Sequence, residues 1–219
     1  MKLFKCFLIV FFVLLSIGFM QEILSMLLAV KDLPVRPSIE LFGYGASTFL
    51  IFCVLFRKWI YAFSVFEHEI THVLVAKLFF LKTLHFSVSP RKHVEGQVVV
   101  GVEGRGPFTK MASIFFSLAP YYLPTLTLAA FAFYPLLGKR MAAFFFFMTG
   151  FTAIYHLATT VHEFGFHQAD IQKHGEYFST AFILLGNIIF LGIIISFVLH
   201  GGFEDVPRFL VQSIINVFG

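Results

Sequence analysis

Residues 3–30 read LFKCFLIVFFVLLSIGFMQEILSMLLAV, an apolar run that is interrupted mainly by Gln21 and Glu22. A helix needs roughly 20 predominantly apolar residues to cross the hydrocarbon core of a bilayer, so this stretch predicts a transmembrane helix. Lys2 and Lys5 lie at its start, as they would in a secretory signal. The run is longer than the apolar core of a signal and lacks a clean small-residue cleavage site, so we expect an uncleaved helix.

The composition of the whole chain supports the same interpretation. Hydrophobic residues make up 58% of the 219 residues, and charged residues only 13%. Soluble domains carry about a quarter charged residues, and a water-soluble domain of this size leaves much of its surface exposed to water. Lipid must therefore cover part of this apolar surface. Five further apolar runs follow the first, at 41–56, 59–81, 111–137, 141–166 and 177–199.

A segment with the features of β-strands lies between the third and fourth of these runs. Residues 85–90 (HFSVSP) and 96–102 (GQVVVGV) alternate partly between apolar and polar side chains and are bounded by glycine and proline. This pattern is typical of a small hairpin or sheet. The predicted fold class is therefore an all-α polytopic membrane protein, with five to six transmembrane helices and a small β hairpin or sheet between the third and fourth.

The third run contains the residues with the clearest chemical meaning. His68, Glu69 and His72 form a His-Glu-x-x-His motif, and side chains four residues apart share one face of a helix. Two imidazoles at this spacing can bind one tetrahedral zinc ion, with the glutamate close enough to act as general base. Ionisable side chains at membrane depth are costly, and they usually mark a functional site. The sequence thus predicts His68 and His72 as Zn²⁺ ligands and Glu69 as the catalytic base.

A simpler explanation of these residues is a helix that lies flat at the membrane interface with its polar face in water. Such a helix has no need of the His-Glu-x-x-His spacing, so we favour the metal site. Glu67 points away from the motif and is more often a solvated or paired residue than a catalytic one. Asn187, in the last apolar run, is expected to hydrogen-bond a neighbouring helix.

A catalytic zinc ion usually has three protein ligands and one open position. Candidates for the third ligand cluster near the end of the fifth run, and they are His156, His162, Glu163, His167 and Asp170. On a continuing helix all of them except His162 fall near one face. The spacing alone groups these candidates without choosing one.

The motif at His68–His72 resembles the active-site helix of the site-2 protease family of intramembrane zinc metalloproteases. The glycine-flanked segment at 96–106 follows it, as a short membrane-associated β region follows the motif in that family. Ser117-Leu-Ala-Pro120 is similar to the family's small-residue and proline-containing segment. The resemblance covers roughly residues 59–190.

The same resemblance implies a third ligand. In the family this ligand is an aspartate within an Asn-x-x-Pro…Leu-Asp-Gly motif, and the nearest match here is Asp170 in Ala-Asp-Ile, with a glycine only at Gly175. No Asn-x-x-Pro precedes it. Asp170 is therefore the expected third zinc ligand by resemblance, and Glu163 and His167 remain rivals.

The resemblance implies a zinc-dependent endopeptidase that cleaves membrane-spanning or membrane-proximal segments of substrate proteins. The expected partners are a transmembrane protein substrate, the lipid bilayer and an unidentified regulatory membrane protein. The expected location is the cytoplasmic (inner) membrane of a prokaryote, with multiple membrane passes. Two alternatives are a membrane protein that binds or transports metal and an inactive protease-like scaffold.

The organisation of the chain is that of one membrane-embedded domain over residues 1–219, because no repeat and no long linker divides it. Residues 1–58 would supply N-terminal spans and 59–190 the catalytic core. The largely apolar tail at 203–219 is expected to form an amphipathic helix along the interface. The net charge of +4 is scattered, which gives no support for nucleic-acid binding.

Overall fold

The computed structural model describes residues 2–30, 36–87, 97–101 and 106–219. This part of the chain forms eight helices and two short strands. In chain order they are α1 (Lys2–Ala29), α2 (Pro37–Leu55), α3 (Arg57–Leu78), β1 (Lys82–Ser87), β2 (Gln97–Gly101), α4 (Pro107–Tyr122), α5 (Thr125–Glu163), α6 (Ala169–His174), α7 (Glu176–His200) and α8 (Val206–Phe218). The long helix α5 consists of two stretches joined by a kink at Met141.

Four helical segments are long and apolar enough to cross a membrane, which makes this chain a membrane protein. They are α1 from Leu3, α2, the second part of α5 (Arg140–Glu163) and α7. Helix α4 and the first part of α5 (Thr125–Gly138) meet the same criteria only together, and they are bent by 92° at their junction. The predicted range of five to six transmembrane helices is therefore reached only at its lower end, and only if the bent pair counts as one span. Within the described residues there are four, or five if the bent pair is one span.

The predicted third span is where the fold-class prediction fails. Helix α3 occupies that run, but it is not among the helices apolar enough to cross a membrane, because its polar side chains lower its hydropathy. Glu67, Glu69 and His72 are buried inside the protein instead. The β segment therefore does not lie between a third and a fourth span. Strands β1 and β2 follow α3 and pair antiparallel, with an irregular register between Thr83 and His85, while 88–96 and 102–105 lie outside the described residues.

Helices α2 and α5 cross at a contact that two glycines make possible. A Cβ atom on Gly45 would collide with the carbonyl oxygen of Phe147, and a Cβ atom on Gly150 would collide with that of Phe42. The two contacts are reciprocal, since each helix brings its backbone against a glycine of the other. Small residues at such crossings allow helices to pack closely where lipid provides no hydrophobic driving force.

The C-terminal tail forms a helix, as expected, and packs against the first and last spans. Phe209 of α8 is 2% exposed, and its ring meets that of Phe19 edge-on at 5.6 Å between centroids. Gly192 of α7 leaves the space that the Phe209 ring fills. The location of this helix at a membrane interface stays a prediction.

The junction between α4 and α5 is tied to α7 by a buried amide. Asn187 Nδ2 donates hydrogen bonds to the carbonyl oxygens of Tyr121, at 2.7 Å, and Ile183, at 2.9 Å. Its Oδ1 lies 3.2 Å from His156 Nε2 on α5. The predicted interhelical role of Asn187 is confirmed, and it holds the bent helix pair against the last span.

The α2–α5 crossing predicts that alanine substitutions at two glycines of α2 have very different effects on stability. Gly45→Ala should lower the melting temperature in detergent, because overpacking a close contact costs about 1–3 kcal/mol and here the obstacle is backbone. Gly43→Ala is the matched control, since nothing lies within 4 Å of a Cβ at that position. Equal melting temperatures for the two variants would show that this crossing is looser than described.

Candidate metal centre

His68, His72 and Asp170 each bring one potential ligand atom to a common point. These three atoms all lie within 4.8 Å of one another, and His72 Nε2 is 3.4 Å from Asp170 Oδ2. Ligand atoms about 2.0–2.2 Å from a tetrahedral ion are roughly 3.3–3.6 Å apart, so the measured separation fits such an ion. Two imidazoles and a carboxylate form a donor set suited to a divalent metal. The group could therefore hold a metal ion.

Helix α3 sets the relative position of the two histidines. It runs from Arg57 to Leu78 with no glycine or proline, so its geometry is regular and residues four apart lie one above the other. The ring centroids of His68 and His72 are 5.1 Å apart. The local sequence is thus sufficient to bring both imidazoles to one side of one helix.

A backbone carbonyl orients the second of these rings. His72 Nδ1 lies 2.8 Å from the carbonyl oxygen of Phe116 in α4. A carbonyl oxygen can only accept, so Nδ1 carries a proton, and in the neutral imidazole the lone pair is then on Nε2. Nε2 is the atom that faces Asp170. A histidine that ligates a metal through one ring nitrogen typically donates the N–H of its other ring nitrogen to a fixed acceptor.

A carboxylate orients the first ring in the same way. His68 Nδ1 is 3.0 Å from Oε2 of Glu163, the last residue of α5. This contact occupies Nδ1 and leaves Nε2 for a metal, as in carboxylate–histidine–metal arrangements. Glu163 was a rival for the third ligand, and in the structure its carboxylate contacts Nδ1 of His68 and is not part of the group of three.

The other candidates from the sequence lie elsewhere. His167 and His162 are exposed, and the ring of His162 packs edge-on against Tyr61 at 6.0 Å between centroids. His156 is buried and engages Asn187. Of the five candidates for the third ligand, all within the described part of the chain, Asp170 alone joins the group formed with the two histidines.

Asp170 lies in the first turn of the six-residue helix α6. Burial raises the pKa of its carboxyl group, but contact with His72 and the proximity of His68 and Lys173 lower it further, so the pKa lies below its ordinary value. The carboxyl group is therefore ionised at neutral pH. That is the form required of a metal ligand.

Glu69, the predicted catalytic base, is buried beside this group. It is 6% exposed and lies close enough to His68, His72 and Asp170 to interact with their charges. A carboxylate in that position can accept a proton from a molecule held between the three ligands. The burial of Glu69 beside these three groups agrees with the general-base role that the motif predicts.

Glu67 points to another part of the protein. It accepts a hydrogen bond from Thr71 Oγ1 at 3.2 Å, and Thr71 Oγ1 lies 2.7 Å from Thr125 Oγ1 at the start of α5. Glu67 is thus paired, which is one of the two roles that the sequence favoured over a catalytic one. This chain of polar contacts joins α3 to the α4–α5 junction.

Phe116 is the contributor to the site that sequence reasoning missed. It acts through its backbone carbonyl, and because every residue type has a backbone carbonyl, the sequence gives no signal for this role.

Comparison of this chain with protein families, with curated proteins and with solved structures finds no match. Its function must therefore be argued from the chemistry and geometry of its own residues.

The ligand assignment predicts which variants lose metal. Asp170→Ala should weaken zinc binding by more than about 100-fold, because loss of a ligand costs more than the 10–100-fold typical of an outer partner. His167→Ala is the control, since this exposed side chain lies three residues away and should leave the affinity unchanged. Competition with a fluorescent zinc chelator measures both. If His167→Ala causes the greater loss, Asp170 is not the ligand.

Substitution of Glu163 should lower zinc affinity by less than Asp170→Ala and by more than His167→Ala. Glu163→Gln retains a side chain of the same size but replaces the charged acceptor of His68 Nδ1 with a neutral amide, so zinc affinity should fall about 10–100-fold. In the cobalt-substituted protein, the absorption bands of a tetrahedral site should remain. Disappearance of those bands in Glu163→Gln alone would mean that Glu163 itself coordinates the metal.

Proposed function

We propose that this chain is a zinc-dependent intramembrane endopeptidase. The observation that carries the proposal is the convergence of His68, His72 and Asp170 next to the buried carboxylate of Glu69, in a protein built from membrane-spanning helices. Two further features support it. Both histidines have their Nδ1 atoms engaged, and the motif resembles the active-site helix of site-2 proteases.

The residues divide the chemical work as follows. His68 and His72, through Nε2, and Asp170, through a carboxylate oxygen, would hold the ion and leave a fourth position open. When bound, zinc would supply a water of pKa near 7 rather than about 15.7 and polarise the carbonyl of the scissile peptide bond. Glu69 would take the proton of the attacking water and pass it to the leaving amine nitrogen as the C–N bond breaks.

The setting of the site in a membrane protein supports a membrane-bound class of substrate. Helices α1 and α2 are apolar and largely unburied, which favours a substrate that comes from the lipid or from the membrane surface. We propose transmembrane or membrane-proximal segments of other membrane proteins as substrates. The enzyme would be a multi-pass protein of a prokaryotic inner membrane.

Metal transport is the principal rival function. A transport pathway needs polar groups spread along several spans, whereas here the candidate ligands converge at one point formed by α3 and α6. That concentration favours a single reaction centre. The presence of three candidate ligands and a candidate base in one place also argues against an inactive scaffold.

The general-base assignment supplies the decisive test. Purified protein is incubated with a panel of transmembrane peptides, and cleavage is read by mass spectrometry. Glu69→Gln should reduce cleavage at least about 100-fold while bound zinc stays stoichiometric, because general-base catalysis contributes about 10²–10⁴-fold. Glu67→Gln is the matched control on the same helix, and it should retain both zinc and cleavage.

Two outcomes would contradict the proposal. Unchanged cleavage by Glu69→Gln with zinc bound would exclude this mechanism. Zinc flux into vesicles containing the wild-type protein, with no peptide cleaved, would instead identify a transporter.

A further inference from the structure

Pro120 lies inside α4, one helical turn after Phe116. In an α-helix the carbonyl of each residue accepts a hydrogen bond from the N–H four residues later, and proline has no N–H. The carbonyl of Phe116 therefore lacks its regular partner within α4. This same carbonyl lies 2.8 Å from Nδ1 of His72.

We propose that Pro120 is a positioning residue of the metal centre. By removing the competing N–H, it reserves the Phe116 carbonyl for His72, and the bond so formed keeps Nε2 of His72 directed at Asp170. This role rests on the proposed function, since it concerns how the zinc ligand is held. Pro120 itself touches neither metal nor substrate.

Because this region is buried, the Phe116 carbonyl and the His72 imidazole each need the other as a hydrogen-bond partner. Residues 116–120 are all buried, and Ser117, Leu118 and Ala119 are fully so. A buried carbonyl without a donor costs free energy comparable to a lost hydrogen bond, so the carbonyl needs the imidazole N–H. The imidazole in turn needs a fixed acceptor to hold one tautomer. Each group therefore stabilises the position of the other.

A second carbonyl near the α4–α5 junction also accepts a hydrogen bond from a side chain in place of its regular backbone partner. The regular partner of the Tyr121 carbonyl would be the N–H of Thr125, but that N–H bonds to the carbonyl of Leu123 at 2.8 Å. Asn187 Nδ2 supplies the donor to Tyr121 instead, at 2.7 Å. Two carbonyls near the bend thus accept hydrogen bonds from side chains of neighbouring helices. One of these side chains, His72, is a candidate metal ligand.

The test restores the missing N–H. Pro120→Ala lets the N–H of residue 120 compete for the Phe116 carbonyl, and zinc affinity should fall about 10–100-fold, as for other partners of ligand histidines. Pro135→Ala is the matched control, because Pro135 also lies inside a helix but is exposed and belongs to the first part of α5. It should bind zinc like the wild type.

A second variant separates the N–H from the shape of the ring. Incorporation of lactic acid at position 120 gives the size of alanine with an ester oxygen in place of the N–H, so zinc affinity should return to within about threefold of the wild type. If Pro120→Ala fails to fold, the lactic-acid variant decides alone. Wild-type affinity in Pro120→Ala, or weak binding in the lactic-acid variant, overturns the proposal.

A readout without metal keeps this inference distinct from the proposed function. In ¹⁵N-histidine-labelled, zinc-free protein, the ring of His72 should be the Nδ1–H tautomer in the wild type and a mixture in Pro120→Ala. If wild-type protein binds no zinc but shows this difference, the proposed function fails and the positioning role stands. If wild-type protein binds zinc but the tautomer is unchanged in Pro120→Ala, the positioning role fails alone.

Discussion

Polar groups in the interior of this protein must find partners within the protein, because apolar side chains and lipid offer no hydrogen bonds. The hydrogen bond between His72 and the Phe116 carbonyl meets that requirement for two groups at once. It satisfies a carbonyl at a proline-containing turn of α4, and it directs an imidazole nitrogen at Asp170. This contact between α3 and α4 sets the orientation of one of the two imidazoles in the candidate metal centre.

The same constraint explains why the site is assembled from so many elements. Helix α3 carries both histidines, α4 supplies a carbonyl, α5 ends at the carboxylate of Glu163, and α6 brings Asp170. Asn187 of α7 then holds the bent α4–α5 pair in place. A charged or polar atom left without such a partner would cost several kcal/mol in a medium that excludes water. Function and packing therefore use the same contacts.

Several features could be predicted from the sequence, because they depend on local patterns. Long apolar runs predicted α1, α2 and α7, and the four-residue spacing predicted that His68 and His72 share a face. The length of the run at 59–81 suggested a span, but its polar residues, several of which are buried, keep α3 out of the helices apolar enough to cross a membrane. The run at 111–137 misled as well, because it folds as two helices bent by 92°. In both cases the sequence shows the length of the apolar run but not the direction that its helices take in the fold.

The sequence by itself determined that this is an apolar, helical membrane protein with two histidines and a glutamate on one helix, because helical periodicity and hydropathy are properties of neighbouring residues. Only the tertiary structure showed that, of Glu163, His167 and Asp170, it is Asp170 that forms one group with His68 and His72. The three candidates lie within eight positions of one another, and the end of α5 at Glu163 together with the start of α6 at Ala169 separates their directions. Backbone direction after a helix end depends on packing with distant elements, so it leaves no signal in the local sequence.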